Sequence, residues 1–212
     1  AALTLDARLD PGAITVVQIA QLYPYDNTLR AIRITGKQLK DYLEFSSRYY
    51  TGVANGRPTI DPSIPGYNFD IVAGADYTLD LTKPVGSRVT SLSVKGRPVG
   101  DSDSFTFALN NYRQSGGGGF SMIKDAPVVY DKQEEIRQLL IDELQSRKVI
   151  RPSDYFTQNW RLQYPGAPAA RGAGLAPGSP RLRIIATNDF HGALEPRADA
   201  NGVVRGGAAH VA

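Results

Sequence analysis

Three clusters of residues in this 212-residue chain are of types that do chemistry. The first is LYPYDNTL, residues 22–29, in which Tyr23, Tyr25 and Asn27 surround Pro24. The proline ring fixes φ at about −65° and disfavours helical backbone at Tyr23, so a helix arriving from the N-terminal side stops there and Tyr25 sits on a stiff turn. Such a turn either presents the Tyr25 ring as a flat face for a planar ligand or buries it with its hydroxyl paired. The residues alone leave both readings open, and the same two apply to Tyr112. That residue belongs to the second cluster, NNYRQSGGGGF at 110–120, where four consecutive glycines follow a strand-like run. Glycine reaches backbone conformations closed to other residues and lets a ligand approach the main chain, although an ordinary glycine-rich connection reads the same way. No Lys-Ser/Thr pair follows, and the strand, helix and acidic residue of a dinucleotide fingerprint are missing, so neither phosphate-cradling loop is present. The third cluster is Asp189-Phe190-His191-Gly192 at the end of an apolar run from Leu182. A carboxylate and an imidazole two residues apart at a strand end can point to one side and ligate one metal.

Composition narrows the chemistry further. With no cysteine, disulfides, thiolate nucleophiles and sulfur-ligated metal sites are excluded. Both histidines, His191 and His210, lie beyond residue 190, so the body of the chain holds no Ser-His-Asp triad and no histidine-ligated metal. The net charge of +3 is spread evenly, at +1 each for residues 1–164, 165–180 and 181–212, which gives no basic block for a nucleic-acid polymer. No run approaches 18 apolar residues, and residues 1–20 lack a basic start with a continuous apolar stretch, so neither a membrane span nor a signal peptide is expected.

The elements that must position these clusters follow from periodicity and caps. Residues 165–180, PGAPAARGAGLAPGSP, contain 13 Gly, Ala or Pro in 16 and read as an extended interdomain linker. Residues 1–164 are then one domain, and 181–212 begin a second that the chain does not finish. Thr35 and Gln38 have capping-box spacing ahead of a helix through about Tyr49, with Leu39, Tyr42, Leu43 and Ser46 on one face. Asp131 and Glu134 predict a second helix start, with Ile136, Leu139, Leu140 and Leu144 as its stripe. A shorter helix is expected over 15–22, capped by Thr15. Strands are expected over 28–34, 69–73, 77–81, 88–94 and 104–109, and a long exposed loop over 51–67. Strands set apart from helices favour an α+β domain with a mixed or largely antiparallel sheet.

Taken together, YPYDNTL, ITGKQLKDYLE, GYNFDIVAG, YTLDL and ALNNYRQSGGGGF resemble the C-terminal nucleotide-binding domain of the 5'-nucleotidase family over roughly residues 10–163. The wording NNYR is most similar to the 2',3'-cyclic-nucleotide 2'-phosphodiesterase/3'-nucleotidase branch. RIIATNDFHGALEPR, followed by GGAAHVA, resembles the opening of that family's metallophosphoesterase domain. Family members place the catalytic domain first, so the reversed order implies a piece of a tandem polypeptide.

The resemblance implies a base-binding domain that catalyses nothing alone, inside a periplasmic, secreted or cell-surface hydrolase with a two-metal site. Divalent metals would belong to the intact enzyme and none to this fragment, where Asp189 and His191 supply only two ligands. It implies that Tyr25 and Tyr112 sandwich the nucleobase with rings roughly 7 Å apart, stacking being tolerant of any base. Asn27 and the backbone near Gly74 correspond to positions at the base edge, and Asn111 and Gly117 fall in the same binding block. The implied partners are nucleosides, nucleotides and the metallophosphoesterase domain of the same polypeptide. One departure bears on substrate: where 5'-nucleotidases usually read Gly-Gly-Asp-Gly-Phe, with the Asp on the ribose, this chain has Gly118. That weakens the alternatives of a 5'-nucleotidase or nucleotide-sugar hydrolase, while the presence of both aromatics counts against a non-catalytic binding or structural module that has lost its substrate role.

Overall fold

The computed structural model describes residues 9, 12–151, 154–155 and 157–167, together with the backbone of 197–198 and 204–205. Helix α1 (Val16–Leu22) starts at a capping box in which Gln18 N–H donates to Thr15 Oγ1 at 3.3 Å and Thr15 N–H donates to Gln18 Oε1 at 2.8 Å. It stops at Leu22, as Pro24 requires. Strand β1 (Leu29–Thr35) runs directly into α2 (Gly36–Ser47), where Thr35 and Gln38 form the second reciprocal box at 3.1 and 2.9 Å. Gly36 is obligatory at this junction, because a Cβ there would lie 2.0 Å from Gly100 O.

The remaining elements are β2 (Tyr50–Ala54), β3 (Arg57–Ile60), β4 (Asp76–Asp80), β5 (Val89–Val94), β6 (Arg97–Pro98), β7 (Ser104–Asn110), α3 (Asn111–Gln114), β8 (Val128–Tyr130), α4 (Ile136–Arg147) and β9 (Trp160–Gln163). They build a three-stranded antiparallel sheet in the order β7-β1-β8 and a four-stranded sheet in the order β6-β5-β4-β9, whose β4–β9 pair is parallel. The domain is thus α+β with a mixed sheet. Two further short strands, Arg197–Ala198 and Val204–Arg205, pair antiparallel.

The core joins both sheets to α2: Ile32 and Ile34 from β1, Leu39, Tyr42 and Leu43 from α2, Tyr77 and Leu79 from β4, and Phe120 and Ile123 beyond the glycines are all buried. Each such aliphatic or aromatic side chain contributes about 1.5–3 kcal/mol on burial. Two buried charges tie α2 to the loop before β5 through backbone partners. The Glu44 carboxylate accepts from the N–H groups of Gly86, Arg88 and Val89, and the Arg88 guanidinium donates to the carbonyls of Ser47, Tyr50 and Lys83.

Three expectations are corrected. Residues 69–73 are not a strand, because side chains satisfy this backbone. Ser46 Oγ holds both the N–H and the C=O of Asp70 at 2.6 and 2.7 Å, Tyr77 Oη takes Val72 N–H, and Asn159 Nδ2 donates to Val72 O. The stretch expected to be a long loop holds the β2–β3 hairpin, turned by Asn55 and Gly56 at φ 52° and 70°. That pair suits a two-residue turn of left-handed conformation. Asp131 and Glu134 do not cap α4, which begins after Glu135 without a side-chain cap. Asp131 pairs instead with Arg30 at 2.8 Å, and Glu134 O accepts from Leu29 N–H, drawing the segment onto β1. The stripe Ile136, Leu139, Leu140 and Leu144 is only half-buried. Most of the expected linker, the strand from Leu182, and Asp189 and His191 lie outside the described residues.

Candidate functional site

The antiparallel register of β1 and β7 pairs Leu29 with Asn110, so the turn before β1 and the helix after β7 emerge at the same end of one sheet. Asn110 is buried and caps α3, its Oδ1 accepting from Arg113 N–H at 2.7 Å. The next residue, Asn111, binds Thr28 from both sides. Its Oδ1 accepts from Thr28 N–H at 3.1 Å, and its own N–H donates to Thr28 O at 3.0 Å. The segments carrying Tyr25 and Tyr112 are therefore fastened together three residues from one ring and one residue from the other.

Both rings are open to solvent: Tyr25 is 45% exposed and Tyr112 44%, whereas Tyr23 is 2% exposed. Of the two readings for this turn, burial thus falls to Tyr23, which meets the Tyr25 ring edge-on at a centroid distance of 6.3 Å. The turn is further pinned by α4, through Ile136 N–H to Asn27 O at 3.0 Å and an ion pair between Arg137 and Asp26. Asn27 Nδ2 donates to Tyr23 Oη at 3.4 Å.

Gly117 lies directly against the second ring, since a Cβ on it would come within 2.6 Å of Tyr112 Cζ and 2.7 Å of Cε1. Gly118 has φ 71°, and a Cβ there would lie 2.2 Å from Arg113 Nη1 and 2.3 Å from Asn68 Oδ1. The arginine occupies the room that a side chain at 118 would need. Gly74, at φ 84°, belongs to a separate turn held by Asn159 Nδ2, which donates to Val72 O and Ala75 O. Asn111, Tyr112 and Gly117 thus meet in one knot with the Tyr25–Asn27 turn, while Gly74 is fixed by other partners.

Beneath the knot lies a pair that sequence reasoning missed. Arg113 and Asp70 are each 1% exposed and joined twice, Nε to Oδ2 at 2.7 Å and Nη2 to Oδ1 at 2.8 Å. Tyr42 Oη also donates to Asp70. Arg113 reaches the carbonyls of Tyr67 at 3.0 Å and Gly117 at 2.6 Å, with its guanidinium 4.1 Å from the Phe120 ring centre. Burial pushes the Asp70 carboxyl above the ordinary carboxylate range, while Arg113 and Tyr42 pull it down. No spacing rule links residues 43 apart. The available signal was a lone Arg and a lone Asp inside otherwise uncharged motifs.

A family model described as 5'-nucleotidase, C-terminal domain, matches residues 1–125, and the chain belongs to that family. The trifunctional nucleotide phosphoesterase protein YfkN of Bacillus subtilis is 32% identical over 71% of this chain and 11% of its own length. A Haemophilus influenzae 2',3'-cyclic-nucleotide 2'-phosphodiesterase/3'-nucleotidase is 33% identical over 73% of this chain and 26% of its length. The crystal structure of a putative 5'-nucleotidase from Staphylococcus aureus, in complex with alpha-ketoglutarate, superposes with a TM-score of 0.67 at 30% identity, covering 76% of this chain and 32% of that one. The chain therefore spans between about a tenth and a third of the proteins it matches. Among the described residues, no group of three or more His, Cys, Asp and Glu could hold a metal ion, and no helix is long and apolar enough to cross a membrane.

Proposed function

We propose that this domain binds the base of a nucleotide between Tyr25 and Tyr112 and presents the phosphate ester to a metallophosphoesterase domain of the intact polypeptide. The enzyme so completed is a 2',3'-cyclic-nucleotide 2'-phosphodiesterase/3'-nucleotidase acting outside the cytoplasm. The observation that carries this reading is the pair of half-exposed tyrosines at one sheet end, joined through Asn111 and Thr28. Stacking is worth about 1–3 kcal/mol per base and ignores base identity, which suits an enzyme that takes any nucleotide. Asn27 and Gly74 are assigned to the base edge. The domain's contribution to rate is orientation, with no proton-transfer group of its own. Divalent metals would be held by the catalytic domain. Asp189 and His191 would serve a second such domain only once it is complete, because two ligands are too few for a two-metal site.

Gly118 favours a phosphate on the 2' or 3' oxygen over a 5'-phosphate, because no carboxylate reaches toward the ribose hydroxyls from that position. Calorimetric titration of the chain with adenosine tests the reading. Tyr25→Ala and Tyr112→Ala are each expected to weaken binding by about 1–3 kcal/mol. Unchanged affinity in both variants would overturn it.

A further inference from the structure

We propose that Arg113 is a positioning residue: anchored on Asp70, it holds the Gly117 backbone against the Tyr112 ring and so sets the attitude of one wall of the base site. The inference rests on the stacking reading above. A run of four glycines has more backbone freedom than any other sequence of its length. A ring that leans on it keeps one orientation only if the run is held from elsewhere. The hold is visible as a continuous chain of contacts. Asp70 takes two guanidinium nitrogens at 2.7 and 2.8 Å, the third nitrogen, Nη1, reaches Gly117 O at 2.6 Å, and Gly117 touches the Tyr112 ring. The planar fork of arginine spreads its donors over three nitrogens and so serves a carboxylate on one edge and a carbonyl on another, whereas lysine offers its donors from a single nitrogen. Gly118 completes the device, because any Cβ there would stand 2.2 Å from Nη1.

The test is a double-mutant cycle on the full 212-residue chain, combining Arg113→Lys with Tyr112→Ala and read by adenosine titration and by thermal melting. Arg113→Lys is expected to weaken adenosine binding about five- to tenfold with Tyr112 present and less than about twofold further in its absence, since the effect runs through the ring. The loss of Tm should be the same in both backgrounds. Equal weakening in both backgrounds, or no weakening in either, overturns the proposal. Should Arg113→Lys give no cooperative melt, Asp70→Asn decides by the same cycle, because it weakens the anchor of the guanidinium without adding an atom near the Tyr112 ring or backbone. A Tyr112→Ala variant that binds like the parent, or a parent that does not bind adenosine, overturns the stacking reading and this proposal with it. A failure confined to the cycle overturns the proposal alone.

Discussion

Tyr112 and Arg113 are adjacent in sequence and opposite in situation: the first is 44% exposed, the second 1%. The same contrast separates Tyr25 from Tyr42, one half-open on a turn and the other fully buried with its hydroxyl committed to Asp70. Below the surface, aromatic and charged groups are spent on one another, and removing any of them strands a partner. At the surface, two aromatic rings are held by their backbones and leave much of their area to water. The difference teaches where this domain stores stability and where it leaves aromatic area open to solvent.

The sharpest way to break the contrast is Arg113→Ala, which leaves the Asp70 carboxylate buried without its cation. Chemical denaturation should show a loss of about 3–5 kcal/mol, as for other broken buried pairs. A loss below about 1 kcal/mol would mean that the two regions do not differ as argued. Next comes Gly118→Asp. The φ of 71° and the proximity of Arg113 predict a cost of about 1–3 kcal/mol on the same measurement, with no gain of a ribose contact. A stable variant that binds nucleosides more tightly would show that the arginine gives way. Thr35→Ala removes the reciprocal cap at the start of α2 and should cost about 0.5–2 kcal/mol without touching adenosine affinity.

The smallest effect concerns acid. Thr82, through its hydroxyl and its N–H, holds the Asp80 carboxyl below the ordinary carboxylate range. A depressed folded-state pKa contributes stability above the unfolded value of about 3.9 and loses it as pH falls through the folded one. Asp80→Asn should therefore lower stability slightly at neutral pH, where the carboxylate contributes, and make the acid limb of the stability profile shallower. An unchanged acid limb would count against this hydrogen-bond pair.

What the sequence disclosed follows the range of the interactions. The Thr35–Gln38 box and the Thr15 cap were legible because such donors and acceptors lie three residues apart, and β1, β4, β5 and β7 because their patterns answer to burial. Residues 69–73 read as a strand since their apolar content is strand-like. The groups that satisfy this backbone come from Ser46, Tyr77 and Asn159, of which Ser46 and Asn159 are remote in sequence. The Asn55-Gly56 turn is written in plain dipeptide chemistry, but the stretch around it, rich in Gly and Pro, reads equally as a loop. Asp131 looked like a cap until Arg30 claimed it across the fold. At the proposed site, Pro24 made the Tyr25 turn readable, and Tyr112 was singled out only by what the family resemblance implies. Asp70 and Arg113 had no such signature, because only the folded chain brings them together.

The claim that the open rings form the base site is tested most directly by magnetic resonance on the chain with adenosine bound. The account predicts nuclear Overhauser contacts from the adenine H2 and H8 protons to the ring protons of both Tyr25 and Tyr112, and none to Tyr42. Saturable adenosine binding with contacts to neither exposed ring, or to only one of them, would contradict it.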